Sequence, residues 1–120
     1  MLYTNLRHIE NVGDFENTIL EHKYVVIICG RMDPMSVRLF SVAEELSLTY
    51  RQIKFVDMEF DSPNIQVIIE SLSNEKMSCS PFAVFLKNGR VVNVIREFTG
   101  KEQFWDIVNT FSELAESTYN

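Results

Sequence analysis

The residues that could do chemistry are few. Cys29 and Cys79 are the two thiols, and His8 and His22 the two imidazoles. The segment CGRMDPMS, residues 29 to 36, sets Asp33-Pro34 between Met32 and Met35, where the apolar run YVVIIC gives way to a helix. A thiol at such a helix start would ionise readily. A thioether there can neither ionise nor form a disulfide, and offers only packing and polarisable contact. The spacing of the two cysteines matches no zinc pattern. Cys29, Met32, Met35, Met77 and Cys79 together have the softness for Cu(I). Met35, however, should turn inward from its helix, so no metal and no cofactor is assigned. His8 and His22 match no ligand motif and read as surface or strand-edge residues. Glu44 and Glu45 sit on the outer part of a helix and read as solvated, not as a general acid–base pair.

The chain, 120 residues with 46% apolar side chains, is expected to be one domain, 1–120, with a core of its own. Its 17 acidic and 11 basic residues give a net charge of −6. That argues against nucleic acid, whose phosphates need a basic face. Lys87, Arg90, Arg96 and Lys101 gather near one hairpin and read as a solvated edge. The opening MLYTNLRHIENVGDF has neither the apolar stretch nor the small-residue site of a signal peptide, and no run is long enough to span a bilayer. The expectation is a cytoplasmic protein with reduced thiols and no membrane partner.

The elements that position these residues alternate. LRHI (6–9) is a candidate edge strand. Asp14 is placed to cap a helix reaching about Glu21, with Phe15 and Ile19 on one face. YVVIIC (24–29) is apolar without a break, as a strand covered on both faces must be. Pro34 opens the next helix, where a missing N–H costs nothing. Met35, Leu39, Val42 and Leu46 form its expected core stripe. IKFVDMEFD (53–61) is a third strand. Ser62-Pro63 starts a helix with Ile65, Ile68, Ile69 and Leu72 inward. SLSNEKMSCS (71–80) reads as a loop. PFAVFL (81–86) and VVNVIR (91–96) flank Asn88-Gly89, the pairing of a two-residue hairpin. Thr99 with Glu102 suggests a capping box for a last helix carrying Phe104, Ile107, Val108, Phe111 and Leu114. The order βαβαβαββα predicts an α/β fold, a mixed central β-sheet flanked by helices on both faces.

That order, with these residues, resembles the thioredoxin family over nearly the whole chain, and the resemblance implies the thioredoxin fold. Met32-Asp33-Pro34-Met35-Ser36 falls on the family's Cys-Gly-Pro-Cys-Lys. Asp61-Ser62-Pro63 resembles its Asp-x-x-Pro, one residue shorter. Ser80-Pro81-Phe82 and the following AVFLKNGR resemble its Ile-Pro-Thr segment and Lys-Asn-Gly hairpin, which implies a cis Ser80–Pro81 bond. The departures fall where the family does chemistry. Both redox cysteines become methionine. The buried aspartate of the central strand falls on Val26, the tryptophan before the first cysteine on Arg31, and the glycine of the substrate groove on Glu97. The loop before Pro81 is about five residues longer than the family's. Spliceosomal thioredoxin-fold proteins related to Dim one also carry Asp-Pro in this turn and lack a working cysteine pair, but with an offset of one position. Redox-inactive thioredoxin-like assembly factors, as in hydrogenase maturation, are similar by role.

The resemblance therefore implies a redox-inactive module. Its partner would be another protein or a peptide, held by the former active-site face: Arg31, Met32, Asp33, Pro34, Cys79, Ser80, Pro81 and Phe82, with Glu97 beside them. Met32 and Phe82 are the expected apolar anchors, Met35 is expected to fill core space, and the loop from Glu75 to Ser78 is either a further contact region or simply an exposed insertion. Disulfide exchange needs an attacking thiolate and a resolving thiol, and the turn supplies neither. The alternative is an atypical thiol–disulfide oxidoreductase or redox sensor using Cys29 and Cys79, provided their Cα atoms come within about 7 Å. The oligomeric expectation is a monomer or a weak homodimer, with a Cys79 disulfide as one route to the latter.

Overall fold

The computed structural model describes residues 2–72, 77, 79–96 and 98–117, with side chains to residue 114. The elements run β1 (Arg7–Ile9), α1 (Val12–Glu21), β2 (Tyr24–Gly30), α2 (Pro34–Thr49), β3 (Lys54–Glu59), α3 (Pro63–Leu72), β4 (Phe82–Lys87), β5 (Arg90–Ile95) and α4 (Lys101–Ser117). This is the βαβαβαββα order anticipated from the sequence. The five strands form one sheet in the order β1-β3-β2-β4-β5. β1, β3 and β2 are parallel, whereas β4 and β5 are antiparallel to their neighbours.

β2 lies at the centre, and all seven of its residues are buried. Successive side chains of a strand point to opposite faces, so β2 feeds two cores. Tyr24, Val26 and Ile28 join Leu39, Phe40, Phe85, Phe104 and Phe111 on the face covered by α2 and α4. Val25, Ile27 and Cys29 join Val56, Met58, Ile65, Ile68 and Phe82 under α1 and α3. Each buried aliphatic or aromatic side chain contributes about 1.5–3 kcal/mol of transfer free energy. The β4–β5 turn has positive φ at Asn88 (52°) and Gly89 (77°), as a type I′ hairpin requires.

The helix details differ from the sequence reading in instructive ways. The N-cap of α1 is Asn11, whose Oδ1 accepts from Asp14 N at 2.9 Å; Asp14 instead reaches back to accept from Glu10 N at 3.0 Å. In α2 the buried set is Ser36, Leu39, Phe40, Ala43 and Leu46. The core face is thus turned toward Phe40 and Ala43, leaving Met35 outside and Val42 half-buried. Phe40 is the larger apolar group, and its burial sets the helix's rotation. Ahead of α4, Gln103 and not Glu102 closes the box, its Oε1 accepting from Thr99 N at 2.9 Å. α3 continues through Ser71 and Leu72, two residues into the stretch read as loop, and Met77 is fully buried in the α1/α3 core. Glu75 and Ser78 of the expected contact loop, and Glu97, lie outside the described residues. Among the described residues no helix is long and apolar enough to cross a membrane.

At the β1 edge a buried carboxylate fastens the N-terminal segment. Asp57 of β3 has a fully buried side chain. Thr4 Oγ1 donates to its Oδ2, and His8 Nδ1 lies 2.6 Å from its Oδ1. Leu2 and Leu6 cover the α2/α4 core alongside. Burial raises the Asp57 pKa above the ordinary carboxylate value; hydrogen bonds from Thr4 and His8 and the His8 charge pull it partly back, and Glu44 pushes it further up.

A Cβ on Gly30 would meet Ser36 Oγ at 2.8 Å and Ser36 Cβ at 3.0 Å. Gly30→Ala should therefore cost about 1–3 kcal/mol in denaturant unfolding, and Ser36→Gly in the same chain should recover part of it; two additive losses would show that the crowding is not the cause. The raised Asp57 pKa means that its contribution to stability is present below the unfolded carboxylate value and is lost as pH rises through the folded one. The stability of Asp57→Asn relative to the native chain should therefore improve as pH rises from about 4, the ordinary carboxylate value. A flat or falling difference would show that the Thr4 and His8 bonds outweigh burial.

Candidate functional site

The turn from β2 into α2 is shaped by four residues that carry no redox chemistry. Gly30 leaves room for Ser36, which is fully buried. Ser36 Oγ accepts from Arg31 N at 3.3 Å, tying the end of the strand to the first turn of the helix. Asp33 is the N-cap, with its Oδ1 accepting from Ser36 N at 2.8 Å, and Pro34 follows as the first helical residue. The carboxylate thus occupies the positive pole of the helix, which would otherwise favour a thiolate.

Arg31 is held away from that pole. Its guanidinium forms a fork with Asp61, Nε to Oδ2 at 3.0 Å and Nη2 to Oδ1 at 2.9 Å, and lies 5.2 Å from the centre of the Phe60 ring. Both partners are substantially exposed, so the pair contributes at most about 1 kcal/mol. What it does is fix the side chain across the β3–α3 corner. Met32 (43% exposed) and Met35 (57% exposed) both project into solvent. The expectation that Met35 fills core space is corrected here, because the rotation of α2 places Ser36 and Phe40 inward in its stead.

Facing α2, the Ser80–Pro81 peptide bond is cis. Between the two lies an open pocket of about 240 Å³ lined by Met35, Cys79, Ser80, Pro81, Arg96 and Phe98. Ser80 Oγ is buried and has no hydrogen-bond partner among the described residues. Phe82, expected as a partner anchor, has no exposed surface. It is the first residue of β4, pairs with Cys29 in register, and points into the α1/α3 core with its ring edge toward Phe60. Of the residues expected on the face, the structure brings Cys79, Ser80 and Pro81 together with Met35 around one pocket. Met32, Asp33 and Pro34 form the adjoining helix start, and Phe82 is removed from the surface.

The thiols occupy different environments. Cys29 is fully buried in the α1/α3 core, Cys79 is exposed, and no disulfide joins them. Burial drives the Cys29 pKa far above its ordinary value; Asp57 and Asp61 add to the shift and Arg31 opposes it weakly. Such a thiol stays protonated and is a poor nucleophile. The sulfurs weighed as a Cu(I) set are divided in the same way, Cys29 and Met77 inside, and Met32, Met35 and Cys79 outside.

A second concavity, about 380 Å³, lies at the β1–β3 edge and includes His8, Asp57, Glu59 and Ser62 in its lining. Sequence reasoning passed over it, taking His8 for an isolated edge residue. The signal was present in FVDMEF: the two-residue period puts Asp57 on the same inward face as Phe55, and a buried carboxylate demands a partner.

No protein-family model matches the sequence, and no curated protein matches it. Solved structures do. A thioredoxin of Plasmodium falciparum superposes with a TM-score of 0.76 at 16% identity, covering 88% of this chain and 98% of its own. Mitochondrial thioredoxin 3 of Saccharomyces cerevisiae gives 0.72 at 19% identity, covering 88% of this chain and 94% of its own. A mutant thioredoxin of Halobacterium salinarum gives 0.77 at 10% identity, covering 93% and 96%. Identities this low speak to architecture, and on that architecture they agree with the strand order, the helix placement and the terminal hairpin: the chain has the thioredoxin fold.

Proposed function

We propose that this protein is a redox-inactive thioredoxin-fold module that binds another protein or a peptide through the face formed by the start of α2 and the Pro81 loop, in the manner of an assembly factor. The observation that carries the reading is the Ser80 hydroxyl, buried at the wall of the Met35 pocket with no partner among the described residues. Leaving a buried hydroxyl unsatisfied costs about 1–3 kcal/mol. An extended peptide laid against the loop would supply a backbone group to it. Met32 and Met35 add unbranched thioether surface that adapts to varied apolar side chains. Neither can exchange with a disulfide. The net charge of −6 favours a protein over a nucleic-acid partner.

The thiol-based alternative has one observation in its favour, the exposure of Cys79. It requires Cys29 to ionise, and burial opposes that.

Two experiments separate the readings. Alkylation of the native, reduced protein should label Cys79 alone, with Cys29 reacting only after unfolding; equal labelling of both thiols, or an internal disulfide in a glutathione buffer, would establish the oxidoreductase reading. A photo-crosslinking amino acid in place of Met35 should capture a discrete partner in extracts of the source cell, whereas the same group at Val67, exposed on α3, should not. Identical adducts at both positions, or none at either, would remove the binding-face assignment.

A further inference from the structure

The charges around the Met35 pocket are distributed unevenly. Asp33 is committed to the α2 cap and Arg31 to Asp61. Lys101 is committed to Glu45 at 2.6 Å. Arg96 lines the pocket, just beyond the end of β5, with no hydrogen-bond or ion-pair partner among the described residues. Arg38 of α2 is exposed, with its guanidinium 5.9 Å from the centre of the Phe98 ring, and likewise has no carboxylate partner among the described residues. A chain of net charge −6 thus presents, in the lining of the pocket that Ser80 shares, an arginine without a partner among the described residues, while a second guanidinium, that of Arg38, lies over the Phe98 ring of the same pocket.

Resting on the peptide-binding reading, we infer that the occupant is an acidic peptide: an extended segment that places a carboxylate on Arg96, lays an apolar side chain between Met35 and Phe98, and offers a backbone group to Ser80 Oγ. A guanidinium pairs with a carboxylate through two parallel N–H···O bonds, which gives geometry as well as charge. Arg38 adds long-range attraction that salt screens. Met35 and Phe98 supply the neighbouring apolar wall. The carboxylate can come from an Asp or Glu side chain or from a peptide C-terminus, and the geometry serves both.

The test is selection from a displayed random twelve-residue peptide library on the immobilised native protein, in parallel with Arg96→Glu. Peptides enriched on the native chain should carry Asp or Glu next to an apolar residue. Arg96→Glu should bind them about ten- to hundredfold more weakly and should itself enrich Lys or Arg at the same position. Arg96 is exposed beyond the strand end, so the fold should be unchanged by circular dichroism. Free and amidated synthetic versions separate the two sources: loss on amidation identifies a C-terminal carboxylate, and indifference identifies a side chain. Enrichment of peptides with no acidic bias, or equal binding by Arg96→Glu, overturns the acidic inference while leaving peptide binding in place. Failure to enrich anything over a Met32→Ser/Met35→Ser control overturns both.

Discussion

Seven consecutive residues of β2, Tyr24–Gly30, are shielded from water on both faces of the sheet, and the rest of the fold meets that demand. The strand cannot be at an edge, since its backbone groups must pair on both sides, and β3 and β4 provide the pairing. Nor can either of its faces be left open. α2 and α4 cover one, α1 and α3 the other. The aromatic residues concentrate on the α2/α4 side, where Phe85 meets Phe104 and Phe111 with centroids 5.9 and 5.3 Å apart. The Phe85–Phe111 contact is edge-to-face, with ring planes 82° apart, and such a pair adds about 0.5–1.5 kcal/mol to what burial alone provides.

The alternation of β2 also decides the fate of its last side chains. Cys29 is directed into the α1/α3 core, packed with Met58 and Phe82. One residue further on, at Gly30, the chain has no side chain at all, and after Arg31 and Met32 it reaches the Asp33 cap of α2. A thiol at position 29 is thus structurally a core residue even though it is only three positions from the exposed Met32. The carboxylates near it, Asp57 and Asp61, make ionisation still less favourable. The face left to solvent consists of thioethers, an arginine without a partner among the described residues and the Pro81 loop.

Much of this was legible in the sequence. The unbroken YVVIIC, the Asn88-Gly89 turn and the isoleucine stripe of α3 give the element order directly, because period and turn chemistry act locally. The placement of Met32 and Met35 at the start of α2 was legible too, since their spacing relative to Pro34 suffices. What stayed hidden depends on competition between neighbours. Met35 and Phe40 both lie near the boundary of α2's apolar arc, and only the packing against the sheet tells which turns inward. Phe82 looks like a surface anchor from its place beside Pro81, but the register with Cys29 aims it into the core. The His8–Asp57 contact joins residues 49 apart through the β1–β3 register, which no local pattern specifies.

The division of labour in the β2–α2 turn has a consequence for what substitution there can change. Its shape is set by the missing side chain of Gly30, the buried hydroxyl of Ser36, the Asp33 cap and the ring of Pro34. Positions 32 and 35 point outward and hold nothing in place. Substitution there is close to neutral for stability, as exposed side chains generally are. A change at either position therefore alters the chemistry the turn offers to solvent while the contacts that set its geometry stay in place, so that reactivity and shape are separable properties of this turn.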